Sequence, residues 1–359
     1  MSSPSPDVPR VPPSNGASVS DVPPGGAPPA GASPLLSVTN LRVEFPTRHG
    51  TLVAVHDVSF DIAPGEVLGV VGESGAGKSL TGAAIIGLID PPGRIASGEI
   101  RLSVRRIDHL SSSAMRTIRG REIGAVFQDP LTSLNPLYTV GRQLVETIRA
   151  HLDLNEAEAL RRAIGLLDEV GIPAAARRVD QYPHHFSGGM RQRVVIALAL
   201  AAKPKLIVAD EPTTALDVSV QAQIIQLLKS LCREHGTAVM LITHDMGVIA
   251  ETAHRVAVMY AGRIVEIGPV AAVIHRPQHP YSDGLMGSIP SIIDERERLT
   301  QIEGAMPRLT AIPAGCAFHP RCPQVFARCR HERPELLAAG ATRAACWLCA
   351  SDVPGSAHG

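Results

Sequence analysis

A glycine-rich stretch that follows a short apolar run has the residue types and the spacing to bind phosphate. The apolar run is Val67 to Val71, and the stretch from Gly72 to Ser79 reads G-E-S-G-A-G-K-S. Glycine has no Cβ, so the backbone can wrap closely around an anion and point successive N–H groups at it. Lys78 would reach the terminal phosphates of a nucleotide, and the Ser79 hydroxyl would enter the shell of Mg²⁺. The pattern therefore predicts a phosphate-binding loop between a strand and a helix.

Two adjacent acids, Asp210 and Glu211, come directly after another apolar strand candidate, Leu206 to Ala209. Ligands of open α/β sheets gather at the carboxyl ends of the strands, which is where these acids would emerge. Asp210 would hold Mg²⁺ through water, and Glu211 would accept a proton from an attacking water. Two acids that cap a helix would look the same, but together with the glycine-rich stretch they indicate phosphate hydrolysis.

A second glycine cluster, Ser187-Gly188-Gly189, precedes a helical run that continues to Ala202. Ser187 is suited to cap the helix, and the free N–H groups of the two glycines would form another anion-binding helix end. An ordinary capped helix is the alternative interpretation of the cluster alone.

The segments around these motifs predict an α/β fold. Alternating apolar residues between Leu35 and Ile62 predict an antiparallel β layer. Buried strands separated by helices after Gly65 predict a largely parallel core sheet that is covered on both faces. Between about residues 129 and 186 the periodicity predicts a mainly helical insertion. Phe45, on one of the first strands, is either a stacking partner for an adenine ring or a core residue.

The composition limits the partners and the compartment. Lys plus Arg and Asp plus Glu both total 34, so no net field gathers nucleic acid or an anionic membrane. The longest apolar stretch, Val194 to Ala202, is too short to cross a bilayer, and no signal peptide is visible, so we expect a cytosolic chain. Residues 1–34 are rich in Pro, Ser, Gly and Ala, which predicts a disordered tail, and we expect residues 351–359 to form a flexible one.

The order of these motifs resembles the ATP-binding-cassette (ABC) family over about Leu36 to Ile267. The resemblance implies the P-loop NTPase fold of an ABC nucleotide-binding domain over residues 35–268. It implies that ATP is hydrolysed and that the catalytic residues are Lys78, Gln128, Glu211 and His244. The implied Mg²⁺ ligands are Ser79, Gln128 and Asp210. The residues expected to contact the nucleotide are Phe45, Gly72, Ser74, Gly75, Ala76, Gly77, Lys78, Ser79, Leu80 and Gln128.

The same resemblance implies that part of the machinery acts on another chain. In the family, two domains sandwich two ATP molecules, each held by the phosphate loop of one subunit and the signature of the other. The signature residues implied here are Ser187, Gly188, Gly189, Met190 and Gln192, and the implied dimer-contact loop is Ala215, Leu216 and Asp217. The chain has one loop and one signature, so we expect it to pair with itself or with a homologous chain.

The C-terminal third, residues 269–350, resembles the extension of the oligopeptide, dipeptide and nickel importer ATPases. The resemblance rests on P-Q-H-P-Y (Pro277 to Tyr281) and on G-C-A-F-H-P-R-C-P (Gly315 to Pro323). It implies an ATPase subunit that energises import of peptides or related solutes, peripheral on the cytoplasmic face of the membrane. The implied partners are a second, related ATPase in a heterodimer, two membrane permeases and an extracytoplasmic substrate-binding protein. An iron–sulfur assembly factor or a DNA-associated ATPase is the alternative.

Five of the six cysteines lie between Cys316 and Cys349, which in a reducing compartment favours metal ligation over disulfides. Similar importer ATPases carry a [4Fe-4S] cluster at such a site, which implies the ligands Cys316, Cys322, Cys329 and Cys346. Thiolates suit iron–sulfur and zinc equally, so Zn²⁺ stays open, as does Cys349 in place of Cys346.

Overall fold

The structure is a computed structural model that describes residues 33–214, 216–287 and 302–350. The predicted tails, apart from Ser33 and Pro34, and the predicted dimer-contact residue Ala215 lie outside the described residues. The described strands are β1 (Leu36–Thr47), β2 (Gly50–Ile62), β3 (Val67–Val71), β4 (Arg94–Leu102), β5 (Arg105–Arg106), β6 (Ile123–Val126), β7 (Leu206–Asp210), β8 (Ala238–Ile242), β9 (Arg255–Tyr260), β10 (Arg263–Pro269), β11 (Leu337–Ala339) and β12 (Thr342–Ala344).

The helices connect these strands and cover the sheets. They are α1 (Lys78–Ile86), α2 (Ser112–Ile118), α3 (Pro130–Ser133), α4 (Val140–His151), α5 (Glu156–Glu169), α6 (Ala175–Arg178), α7 (Gly188–Leu200), α8 (Val218–His235), α9 (Met246–Thr252), α10 (Val270–His275), α11 (Pro280–Gly287) and α12 (Ala327–His331). Three short 3₁₀ turns are Pro183–His185, His319–Arg321 and Trp347–Cys349. Within residues 33–287 and 302–350, leaving aside Ala215, no helix has both the length and the apolar character to cross a membrane.

Two sheets form the frame of the molecule. An antiparallel sheet has the strand order β2-β1-β4-β5, as the alternating pattern after Leu35 predicted. In the larger sheet, β9, β3, β8, β7 and β6 lie side by side and run parallel. Every residue of β3 and β8 is buried, because helices cover both faces of this part of the sheet. The carboxyl ends of β3 and β7 therefore bring Gly72 and Asp210 to the same edge.

Capping side chains determine where the helices α4 and α5 begin. Thr139 accepts a hydrogen bond from the Arg142 backbone N–H, and Asn155 forms a capping box with Glu158. Each helix therefore begins one residue after its cap, at Val140 and at Glu156. The apolar faces of α4 and α5 pack into the same core as α7 and the parallel strands.

The C-terminal segment is not a detached appendage. Its strand β12 pairs with β10, with Glu266 opposite Ala344 and Ile267 opposite Arg343, and β11 extends the sheet by one more strand. Glu266 is fully buried at this junction, and its carboxylate accepts hydrogen bonds from the backbone N–H groups of Gln278 and His279. The extension thus continues the core sheet, an arrangement that the sequence patterns did not reveal.

Candidate ATP site

The phosphate loop has a conformation that requires glycine. Gly72, Gly75 and Gly77 have φ angles of +149°, +83° and +100°. A Cβ on Gly72 would lie 2.3 Å from the backbone oxygen of Met259 on β9, so a side chain there collides with the sheet itself. The loop leads directly into α1, whose N-terminal N–H groups favour an anion. The strand, loop and helix predicted from the sequence are all present.

Lys78 lies at the first position of α1 and is 6% exposed. Its Nζ donates hydrogen bonds to the backbone oxygens of Gly72 (2.8 Å) and Glu73 (3.1 Å), so the ammonium spans the start of the loop. Burial lowers the pKa of Lys78, while the nearby carboxylates of Glu211 and Asp210 oppose this shift. The lysine and the two acids therefore share one electrostatic site.

The side chains of Ser79 and Asp210 are in contact, as they would be at a magnesium site. The Ser79 hydroxyl donates to Asp210 Oδ1 over 2.9 Å, although the two residues lie far apart in the sequence. Burial raises the pKa of Asp210, and the neighbouring charge of Glu211 raises it further, while the Ser79 hydrogen bond acts in the opposite direction. A partly buried carboxylate in this situation is stabilised by a cation, and hydroxyl and carboxylate oxygens suit Mg²⁺. The residues present therefore fit the ion.

Glu211 is surrounded by polar groups from three segments. Its carboxylate accepts hydrogen bonds from Gln128 Nε2 (3.2 Å) and Thr214 Oγ1 (2.9 Å), and His244 Nδ1 lies 3.4 Å from Oε1. Its φ of +46° is unusual for a residue with a side chain, and such strain persists where the surrounding structure fixes it. The structure thus brings the predicted residues Glu211, Gln128 and His244 together, and their catalytic roles stay a prediction. The sequence did not single out Thr214.

Gln128 was predicted among the Mg²⁺ ligands, but its Nε2 contacts the Glu211 carboxylate instead of Asp210. Its place among the ligands stays a prediction. Thr214 follows Glu211 by three residues in E-P-T-T, and the turn hydrogen bond from the Thr214 N–H to the Glu211 backbone oxygen brings its hydroxyl back to the acid. That spacing is a local signal in the sequence for the contact between Thr214 and Glu211.

The remaining predicted nucleotide contacts occupy several environments. Ser74 and Gly75 are exposed at the tip of the loop, Ala76 is fully buried and Leu80 is half-buried. Phe45 is half-buried on β1 and packs against the core of the antiparallel layer. Its role in stacking on adenine stays a prediction.

The signature cluster forms the N-terminus of α7. The Ser187 hydroxyl accepts a hydrogen bond from the Met190 backbone N–H over 3.4 Å, and Gly188 and Gly189 make the first turn. Gln192 is 1% exposed, and its Nε2 has no hydrogen-bond partner among the residues that the structure describes. Across the described ranges, no hydrogen bond links this cluster to the phosphate loop.

The dimer-contact loop precedes α8. Asp217 caps that helix, since its Oδ1 accepts hydrogen bonds from the Val220 N–H (3.0 Å) and the Ser219 hydroxyl (2.6 Å), and these bonds lower its pKa. Leu216 is half-buried and packs against the core. Leu216 also lies beside the signature, since a Cβ on Gly188 would be 3.8 Å from its side chain.

The C-terminal cysteines converge. Cys316, Cys322, Cys329 and Cys346 line one small cavity, and burial raises the pKa of Cys316 to about 11. Cys349 does not line this cavity, and its Sγ donates to the backbone oxygen of Gln278. Four thiols are a suitable donor set for iron–sulfur or zinc. Within the described parts of the chain, however, no group of three or more His, Cys, Asp or Glu side chains is arranged to hold a metal ion.

Two residues from the motifs of the extension reach the phosphate loop. Tyr281, on α11, accepts a hydrogen bond at its hydroxyl from the Glu73 N–H over 2.9 Å. Arg321 contacts the Glu73 carboxylate over 3.0 and 3.1 Å. These partners are 208 and 248 residues away from Glu73 in the sequence, which is why the motifs did not predict these contacts.

The class of protein follows from the groups that meet at the carboxyl edge of the parallel sheet. They are a glycine loop before a helix, a lysine, a serine–aspartate pair and a strained glutamate, and together they define a P-loop nucleotide hydrolase. Comparison with known proteins agrees. Residues 55–214 match the family model described as ABC transporter, and residues 265–329 match the one described as oligopeptide/dipeptide transporter, C-terminal region.

Full-length relatives give the same result. The chain is 47% identical over 302 residues to the dipeptide transport ATP-binding protein DppD of Escherichia coli (strain K12), covering 84% of this chain and 92% of the relative. It is 47% identical over 317 residues to the oligopeptide transport ATP-binding protein OppD of Salmonella typhimurium, covering 88% and 94%. Among solved structures, the dimeric ATP-binding cassette MJ0796 bound to ADP and Pi matches with a TM-score of 0.59 and 29% identity, over 66% of this chain and 98% of that one.

The chain belongs to the ABC transporter family, and within it to the ATP-binding proteins of the oligopeptide and dipeptide group. The predicted fold, family and ATPase class are confirmed.

Proposed function

We propose that this chain is the ATP-hydrolysing subunit of an importer for peptides or related small solutes. One observation carries the proposal: the site built by the phosphate loop, Asp210 and Glu211 is continuous with a C-terminal segment that matches the oligopeptide/dipeptide transporter region. Relatives that match over more than nine-tenths of their length are named as dipeptide and oligopeptide transport ATP-binding proteins. No such support exists for the alternatives of iron–sulfur assembly or DNA-associated work.

The residues of the site divide the reaction between them. Glu211 takes the proton of the attacking water, with Gln128 and Thr214 fixing its carboxylate. Lys78 and the loop N–H groups stabilise negative charge on the transferred phosphoryl group, and His244, which lies beside Glu211, contacts the terminal phosphate. Mg²⁺, when bound by Ser79 and Asp210, supplies charge neutralisation at the phosphates.

The signature residues act on another chain in this proposal. Their helix end has no hydrogen-bonded link to the phosphate loop in the described residues, and a related cassette was solved as a dimer after hydrolysis. The two ATP-binding chains bind permeases at the cytoplasmic face of the membrane, and a binding protein outside selects the solute. A heterodimer with a related ATPase is the arrangement we propose.

Transport in a reconstituted system tests the function. The chain is co-purified with its permeases and second ATPase, placed in vesicles, and assayed for ATP-dependent uptake of labelled dipeptides and longer peptides. We expect peptide uptake that stops in the Glu211→Gln variant. ATP hydrolysis that responds to no peptide, together with co-purified scaffold or chromosomal proteins in place of permeases, would overturn the proposal.

The four cysteines that line one cavity form a metal-binding site in this proposal. The support is their convergence and the softness of thiolate ligands. Anaerobically purified protein should contain iron and acid-labile sulfide, and Cys322→Ser should reduce both, whereas Cys232→Ser, on the remote helix α8, should change neither. Stoichiometric zinc without sulfide would show that the cysteines bind zinc and not an iron–sulfur cluster. The absence of both iron and zinc would show that they bind neither metal.

A further inference from the structure

Arg321 holds an unusual position in the extension. Its guanidinium makes contacts with the phosphate loop and with the backbone of Ile302 to Gly304. The side chain is only 7% exposed, and Nε donates to the backbone oxygen of Glu303 over 2.8 Å. Nη2 lies 3.3 Å from the backbone oxygens of Ile302 and Gly304. The remaining nitrogen, Nη1, contacts both carboxylate oxygens of Glu73.

Glu73 lies inside the phosphate loop, between Gly72 and Ser74, and is held at every polar group. Arg321 holds the carboxylate, the Tyr281 hydroxyl accepts from the backbone N–H, and the backbone oxygen accepts from Lys78 Nζ. Two of these three partners come from the extension. The conformation of the loop is therefore set partly by contacts from the C-terminal extension.

The charges explain why an arginine is needed at this point. A carboxylate next to a loop that binds polyphosphate repels its ligand unless a cation neutralises it. Arg321 is such a cation, and the rings of Tyr260 and Phe318 lie about 6 Å from its guanidinium carbon. Since Glu73 is partly buried at 29% exposure, solvent screens its charge only in part.

We propose that Arg321 is a positioning residue through which the cysteine-bearing extension sets the affinity of the phosphate loop for ATP. Arg321 ends the short turn His319–Arg321, and the next residue is Cys322, which lines the cysteine cavity. Phe318, just before the turn, lines the same cavity. A change that displaces Cys322 therefore displaces the arginine that neutralises Glu73. The inference goes beyond the proposed import function but rests on its ATP site.

The test measures the dissociation constant of a fluorescent ATP analogue, mant-ATP, with Mg²⁺ on the full chain. Arg321→Ala should weaken binding about tenfold, because it leaves a charged partner unpaired. Adding Glu73→Gln to Arg321→Ala should restore most of that loss, since the repelling charge is gone. In the assembled transporter, Arg321→Ala should raise KM for ATP and leave kcat within about twofold of wild type.

A matched control is Arg328→Ala in the same extension. Arg328 pairs with Glu332 over 2.7 Å and lies over the Trp347 ring at 3.6 Å, and neither of these contacts involves the phosphate loop. We expect this variant to bind mant-ATP as wild type does. If Arg321→Ala fails to fold, Arg321→Gln with and without Glu73→Gln makes the same comparison with most of the side-chain volume kept.

The coupling to the cysteines is tested with Cys322→Ser. The substitution should weaken mant-ATP binding in the wild-type background and have no further effect in Arg321→Ala. Wild-type affinity in Arg321→Ala, or a double variant with Glu73→Gln that binds no better than the single one, would overturn the inference. Failure of the wild-type chain itself to bind ATP, with Lys78→Ala as the loss-of-binding reference, would instead reject the ATP site.

Discussion

The phosphate loop and the signature cluster are both glycine-rich helix N-termini, yet they differ in what surrounds them. The loop meets Lys78, Asp210, Glu211 and the extension residues within the same chain. Around the signature, by contrast, the described residues supply a cap from Ser187 and apolar packing. Similar local sequences thus produce one assembled site and one helix end that, in the proposed function, meets the ATP of another chain.

The largest expected effect is that of Glu211→Gln, which removes the proposed catalytic base from the assembled site. The amide cannot take a proton from water, so turnover of the transporter should fall by about 10²–10⁴-fold while ATP binding is retained. Phosphate release and equilibrium binding of mant-ATP measure the two quantities. Glu122→Gln, which removes a surface ion pair with Lys205, is the control and should leave both unchanged. Full turnover in Glu211→Gln would exclude the carboxylate as the base.

A pair of glycine substitutions compares the two helix ends directly. Gly72→Ala places a Cβ 2.3 Å from a backbone oxygen at a φ of +149°, and should lower the free energy of unfolding by about 3 kcal/mol and abolish ATP binding. In Gly189→Ala the new Cβ meets the Val220 side chain at 2.4 Å, and a side chain can give way where the sheet backbone cannot. We expect this variant to lose about 1 kcal/mol or less and to bind ATP normally. Thermal unfolding with and without ATP distinguishes them, and equal losses would contradict the comparison.

Thr214→Val sharpens the account of the assembled site. The valine keeps the shape but removes the hydroxyl that holds Glu211, so kcat should fall about tenfold with KM for ATP unchanged. Thr117→Val, whose hydroxyl contacts only the Ala114 backbone oxygen on α2, is a matched control. A change in KM alone would show that Thr214 acts on nucleotide binding and not on the base.

The smallest expected effect on the isolated chain is that of Ser187→Ala. The substitution removes a helix cap, which costs about 1 kcal/mol, and should leave mant-ATP binding by this chain unaltered. Turnover of the assembled transporter should nevertheless fall, because in the proposed function this hydroxyl contacts the ATP bound by the partner chain. Ser111→Ala removes the equivalent cap of α2 and controls for the stability loss alone. Weakened ATP binding in the isolated Ser187→Ala chain would place the signature at its own loop.

The sequence predicted the parts of the molecule that depend on neighbours in the chain. The loop conformation follows from Gly72, Gly75 and Gly77, and the cap of α7 follows from Ser187. The proximity of Asp210 to the phosphate loop was also predictable, because the carboxyl ends of parallel strands lie at one edge of the sheet.

Contacts between distant segments were not predictable in this way. Arg321 and Tyr281 belong to irregular or short elements, and neither residue type nor spacing indicates that both reach Glu73. The pairing of β12 with β10 rests on three-residue strands, which are too short for a periodic pattern to show. The extension was therefore recognised as a segment from the sequence, but its contacts with the phosphate loop became visible only in the folded structure.

The central claim is that the ATP site of this chain is completed by a second ATP-binding chain. Light scattering measures it directly on the Glu211→Gln variant, mixed with the other ATPase of its transporter, with and without ATP and Mg²⁺. The account predicts a species with the mass of two ATP-binding chains that forms only with ATP. A wild-type chain that stays monomeric at the assay concentration and still hydrolyses ATP at the rate of the assembled transporter would contradict it.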